Sequence, residues 1–146
     1  GLVGRVVSSN PGLLRTLTAE GYVPVVACVA GGEKGEVFNV NGDSMAVAVA
    51  SGWTVDRLVF LTDVPGVLDG NKALIPTLTI EGCNELISGG IATGGMQAKL
   101  NAATEAVAHG VGEVRIVKGS EANIVARVFG GEEVGTRIVA GAGATA

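Results

Sequence analysis

Apolar positions along this chain fall into helical stripes and continuous β-prone runs, and the two alternate. Asn10-Pro11 opens the first stripe, because Asn can cap free amides and Pro fits a first helical turn. Leu13, Leu14 and Leu17 then share one helical face, predicting a helix that stops near Gly21. Val23–Ala30 is an unbroken β-prone run ended by Gly31-Gly32-Glu33-Lys34-Gly35, which predicts a buried strand and a hairpin-like loop. Ser44–Ser51 mixes small and apolar residues in a pattern open to strand or helix; its alanines and the capping-type Asp43 favour helix. Arg57–Leu61 predicts a fully buried parallel strand running into a Thr62-Asp63-Val64-Pro65-Gly66 turn. Further helices are predicted over Ile80–Ile87, Met96–Ala108 and Glu121–Phe129, with strands at Leu2–Val7 and Glu113–Val117.

This alternation predicts an α/β fold: a three-layer αβα sandwich with a mainly parallel sheet. Residues 1–140 form one domain, with Val37–Val40 and Ala73–Ile75 as local excursions outside the central sheet. The closing residues 141–146, Gly-Ala-Gly-Ala-Thr-Ala, are too small to bury much surface and predict a flexible tail. The chain opens without Met directly into strand-like sequence, so a preceding segment is expected.

Composition narrows the function. Apolar residues make up 47% of the 146, enough for a real core. A net charge of −4 and 3% aromatic residues disfavour nucleic acid, since neither a basic face nor a stacking platform is available. No apolar stretch approaches the roughly 18 residues of a spanning helix, and no leader-like start is present, which predicts a cytoplasmic protein with no membrane partner. Cys28 and Cys83 lie in apolar stretches, where buried free thiols are common, and a reduced compartment fits them better than a disulfide.

Three constellations could carry chemistry. Ligands of parallel α/β sheets collect at the carboxyl ends of strands, which singles out the turn after Leu61. There Asp63 can accept hydrogen bonds from ribose hydroxyls or amines, and Pro65-Gly66 turns the backbone sharply; a simple Pro-Gly turn would use the same residues. In Ile91-Ala92-Thr93-Gly94-Gly95-Met96-Gln97-Ala98-Lys99, a Gly-Gly turn opens a helix with a Lys on its second turn. Free amides at that start attract phosphate, and Lys99 could neutralise transferred phosphoryl oxygens, although a plain loop and a solvated Lys would read alike. In the third, Asn39 and Asn41 point to one side of an extended segment ahead of Asp43. They could jointly grip a carboxylate or acyl-amide oxygen, or serve as turn residues before a helix cap.

Other chemistry finds little support. His109 precedes Gly110 at a predicted helix end and suits a terminal-carbonyl contact better than catalysis. With no CxxC, no HExxH and no second His, no metal site is predicted, and a complete GxxxxGK[ST] loop is also missing.

Taken together and in order, Asn39-Val40-Asn41-Gly42-Asp43, Leu61 through Leu68 and Thr93 through Lys99 resemble the acetylglutamate kinases of the amino acid kinase family. Gly21 through Val26 and Gly135-Thr136-Arg137-Ile138 extend the resemblance over nearly the whole chain. It implies the carboxy-terminal, nucleotide-binding lobe of that fold. The implied activity is ATP-dependent phosphorylation of the side-chain carboxylate of N-acetyl-L-glutamate to an acyl phosphate in arginine biosynthesis. ATP with nucleotide-bound Mg2+ is the implied cofactor.

Carried over position by position, the resemblance makes Lys99 the transition-state lysine and Asp43 the acid that positions catalytic lysines. Asn39 binds the acetylamino acid, while Asp63, Val64, Pro65, Gly66, Val67, Leu68, Ile91, Ala92 and Thr93 contact ATP. It also implies a homo-oligomer and, as partner, the amino-terminal half that carries the family's glycine-rich phosphate loop, second lysine and substrate-gripping arginine. Without that half the chain should bind nucleotide better than it catalyses. Gly42 stands where the family pattern has Ala. A kinase for a related acylated or carrier-linked amino acid, and a noncatalytic nucleotide-binding module, are the alternatives.

Overall fold

A computed structural model describes residues 1–141; residues 142–146, most of the expected tail, lie outside the described residues. In chain order the elements are β1 (Val3–Gly4), α1 (Gly12–Ala19), β2 (Val29–Gly31), β3 (Val37–Val40), α2 (Gly42–Trp53) and β4 (Arg57–Thr62). They continue with β5 (Thr77–Thr79), α3 (Ile80–Ser88), α4 (Gly94–Ala108), β6 (Glu113–Lys118), α5 (Ile124–Phe129) and β7 (Thr136–Val139).

The main sheet has the order β4-β6-β7-β5, with β4/β6 and β5/β7 parallel and β6/β7 antiparallel. Strand β6 sits inside it and alternates its two faces. Val114 and Ile116 enter the larger core with Leu100, Ala103 and Ala106 of α4, while Val117 packs with Ile124 and Val128 of α5. Helices α2, α3 and α4 therefore cover one face and α5 the other, which gives the three expected layers and a parallel-rich α/β fold. Small residues let α4 approach closely, since Ala103, Ala106 and Leu100 are fully buried.

Several elements depart from their sequence reading. Of Val23–Ala30 only Val29 and Ala30 are in a strand, and Val25 is 94% exposed, so the run is not a buried strand. β propensity needs a surface to pack on, and no element within the described residues covers this run. Val37–Val40 lies outside the main sheet as expected, but it is not merely local: it is the middle strand of a second sheet, β1-β3-β2, because the Gly32–Gly35 turn folds it back on Val29–Gly31 while Val3 and Gly4 pair along its other edge. Ala73–Ile75 does stay local, returning beside Leu68 through a Leu68–Leu74 bridge.

Strand β4 is an edge strand within this chain. Only Phe60 of it is fully buried and Leu61 is half-exposed, which corrects the fully buried reading of Arg57–Leu61. Helix α5 begins at Ile124, not Glu121, because Asn123 adopts a left-handed φ of 56°. Both cysteines are free thiols; Cys83 is buried, and burial pushes its pKa up to about 11, whereas Cys28 is exposed.

Candidate functional site

Helix α2 starts where β3 ends. Asn41 is its cap, its side-chain oxygen accepting the amides of Asp43 at 3.0 Å and Ser44 at 3.2 Å. Capping thus falls to Asn41, not Asp43. Asp43 stands in the first turn with its carboxylate free to reach across to α4, where Lys99 Nζ lies 3.0 Å from Oδ2 and 3.2 Å from Oδ1. The pair is partly buried, Lys99 at 27% and Asp43 at 25% side-chain exposure, so it is neither solvent-screened nor sealed. Beneath it, the Lys99 ammonium sits 5.7 Å from the ring centre of Phe60 on β4. A cation over a π face at that distance is attracted to the ring, and Phe60 thereby holds Lys99 from below. Sequence reasoning passed over Phe60, which reads only as one apolar residue in a strand.

The start of α4 is built differently. Thr93 occupies its cap position, but the hydroxyl makes no capping bond. Gly94, at φ 54°, and Gly95 follow, and a Cβ on either would meet nothing within 4 Å. First-turn amides of a helix have no partner inside it, so this end presents donors and a partial positive charge toward open space, one turn before Lys99. Ile91, Ala92 and Thr93 lead directly into it. Ala92 is buried as an anchor, while Ile91 and Thr93 remain exposed.

The turn after β4 is held by its own side chains. Val64 N–H donates to Thr62 Oγ1 at 3.2 Å and the Thr62 hydroxyl donates to Val64 O at 2.8 Å, leaving Asp63 exposed at the tip. Gly66 and Val67 are buried behind it. The Leu68–Gly70 stretch comes beside Ile91, whose Cδ1 lies 3.8 Å from where a Cβ on Gly70 would stand. Ile91 is thus brought beside the residues that follow the Asp63–Leu68 turn. Asn39 is exposed on β3, four residues before Asp43, and among the described residues its side chain is not hydrogen-bonded to Asp43 or Lys99.

His109 closes α4, with Nδ1 2.7 Å from Glu105 O, the terminal-carbonyl contact its position predicts. Among the described residues no group of three or more His, Cys, Asp or Glu side chains is gathered as a metal site would require. None of the described helices is long and apolar enough to cross a membrane.

Strands flanked by helices on both faces, with an acid–lysine pair and an open helix start between two of them, define an α/β domain with one candidate site. The sequence matches the model of the amino acid kinase family over residues 1–118, and the chain belongs to that family. It is 57% identical over 139 residues to an acetylglutamate kinase of Solibacter usitatus, covering 95% of this chain and 54% of that enzyme. Among solved structures, smu.665 from Streptococcus mutans superposes with a TM-score of 0.81 at 31% identity, covering 96% of this chain and 52% of that one. The N-acetylglutamate synthase of Neisseria gonorrhoeae shares the fold, with a TM-score of 0.88 at 22% identity over 95% of this chain and 32% of that one. The chain spans about half the length of the curated relatives it matches.

Proposed function

We propose that this chain is the nucleotide-binding half of an acetylglutamate kinase, with residues 1–140 as its lobe. The whole enzyme phosphorylates the side-chain carboxylate of N-acetyl-L-glutamate with ATP and nucleotide-bound Mg2+, in arginine biosynthesis. The observation that carries this reading is the Lys99–Asp43 pair, whose members lie 56 residues apart in sequence yet meet one turn from the open start of α4.

ATP supplies the phosphoryl group, with Mg2+ screening its charge. The amides of Gly94 and Gly95 suit its phosphates, Lys99 suits the charge on the transferred oxygens, and Asp43 keeps that ammonium in place. Asp63 suits a ribose hydroxyl or an amine, with Val64, Pro65, Gly66, Val67, Leu68, Ile91, Ala92 and Thr93 forming the apolar and backbone surround. Asn39 offers its amide to the acetylamino group. A carboxylate is already a nucleophile, so the site needs no general base and works by positioning and charge neutralisation.

The partner half supplies what this chain lacks for the acceptor. Tyr22, Val23, Val25 and Val7 are exposed apolar residues of the kind a docked half would cover. The complete enzyme is proposed to be a cytoplasmic homo-oligomer. Titration calorimetry of the folded chain with Mg-ADP tests the reading: binding at millimolar concentration or better is expected, and no binding by a folded sample would overturn it.

A further inference from the structure

Thr136 is 0% exposed, and its hydroxyl both donates to and accepts from the segment that follows β4. It accepts the amide of Val67 at 2.8 Å and donates to the carbonyl of Ile75 at 2.7 Å. Those two residues are themselves joined, Ile75 N–H donating to Val67 O at 2.9 Å. One side chain from β7 therefore ties both ends of the Val67–Ile75 excursion. Its anchorage is firm, because Thr136 pairs with Ile116 on β6 in the main sheet.

The surrounding glycines show how close this fastening is. A Cβ on Gly66 would stand 2.7 Å from Thr136 Oγ1 and 3.0 Å from Thr136 N, so the turn can lie against β7 only with no side chain there. On the other side, Gly135 has φ 67°, and a Cβ on it would come within 2.2 Å of Ile116 O. Gly135 thus lets β7 enter beside β6, and Thr136 is then placed under the turn.

We infer that Thr136 is a positioning residue for nucleotide binding, setting the height and rigidity of the Asp63–Leu68 turn through the Val67 amide. This rests on the nucleotide reading above and adds to it a residue that touches no ligand. A hydroxyl serving only to fill the core would be replaceable by a methyl. One that fixes a binding turn would not, since a displacement of about 1 Å at a positioned group can cost up to about 100-fold.

The test compares Thr136→Val, which keeps the shape and loses both bonds, with Thr136→Ser, which keeps the hydroxyl. Amide hydrogen exchange at Val67 reads the fastening, and calorimetric Kd for Mg-ADP reads its consequence. In Thr136→Val, Val67 exchange should accelerate and Kd should rise about 10-fold, while Thr136→Ser stays within about 2-fold of wild type on both. If Thr136→Val does not fold, Thr136→Ala, with room for a water, takes its place under the same expectations.

Unchanged Val67 exchange in a folded variant would overturn the fastening. Accelerated exchange with an unchanged Kd would overturn the positioning role and leave Thr136 purely structural. A wild-type chain that binds no Mg-ADP would instead overturn the nucleotide reading, and the positioning role with it, while the exchange data still report whether the bond holds the turn.

Discussion

Two charge clusters of this molecule invite comparison. At one end of the β4/β6 pair, Glu113 receives Arg57, Arg115 and Arg137, a denser assembly than the single Lys99–Asp43 contact that lies over Phe60, nearer the other end. The Glu113 cluster has a buried centre and an open rim: Glu113 and Arg115 are at most 10% exposed, while Arg57 at 26% also donates to Val128 O at 3.0 Å and lies over Phe129, and Arg137 is 43% exposed. Burial raises the Glu113 pKa, but hydrogen bonds from Arg137, Arg57 and Arg115 outweigh it and hold the carboxyl below its ordinary value. Lys99 and Asp43, by contrast, include no buried member and lie about one turn from a helix start whose cap side chain makes no bond. The carboxylate of Glu113 is thus spent on its three arginines, whereas the proposed site keeps hydrogen-bonding capacity beside open space.

The comparison predicts separable effects. Glu113→Gln should lower stability by about 3 kcal/mol, toward the lower end of the range for breaking a buried pair, because Arg115 loses its counter-charge inside. Nucleotide affinity of the folded fraction should not change. Urea denaturation with calorimetry checks both, and loss of affinity without loss of stability would break the division between the two ends. The same carboxylate sets a pH dependence. Its folded pKa lies below the ordinary 4.5, so its stabilisation is complete above that value and is lost as pH falls below it. Denaturation midpoints should decline on acidification below about 4.5 in wild type and decline less in Glu113→Gln.

Lys99→Ala should do the opposite. In the complete enzyme kcat should fall by about 100-fold or more, with nucleotide affinity less affected and the circular dichroism unchanged. Arg at this position should not fully restore the rate, because its planar fork distributes donors differently. A folded Lys99→Ala enzyme turning over at the wild-type rate would reduce the pair to a surface contact.

Smaller effects sharpen the picture. Asn39→Ala should raise KM for the acetylamino acid about 10-fold while leaving KM for ATP alone, as steady-state kinetics with each substrate varied would show. A defect confined to ATP would move Asn39 to the wrong side of the site. Asn41→Ala should cost about 1 kcal/mol of stability through loss of the α2 cap, read by thermal denaturation. If kcat then falls more than stability accounts for, the cap also aims Asp43.

Much of this protein was determined by sequence. The Asn10-Pro11 start holds to within one residue, since Pro11 takes the cap position of α1 and Asn10 Oδ1 accepts Gly12 N–H at 2.9 Å just ahead of it, and the Gly21 stop at φ 84° is equally local chemistry. So are the Gly94-Gly95 opening of α4 and the run of small and apolar residues along it. The order of its motifs was enough to point to the family.

Tertiary structure decided where propensity met its surroundings. Val23–Ala30 reads as a buried strand, but burial is a property of neighbours, and here the described residues provide none for Val23 and Val25. Val37–Val40 became the middle strand of the smaller sheet because a parallel segment 36 residues earlier pairs along its free edge, which no local window contains. Phe60 beneath Lys99 and Thr136 beneath Val67 are likewise invisible to periodicity: each acts on a residue 39 or 69 positions away through an interaction that exists only once the sheet has brought the two together.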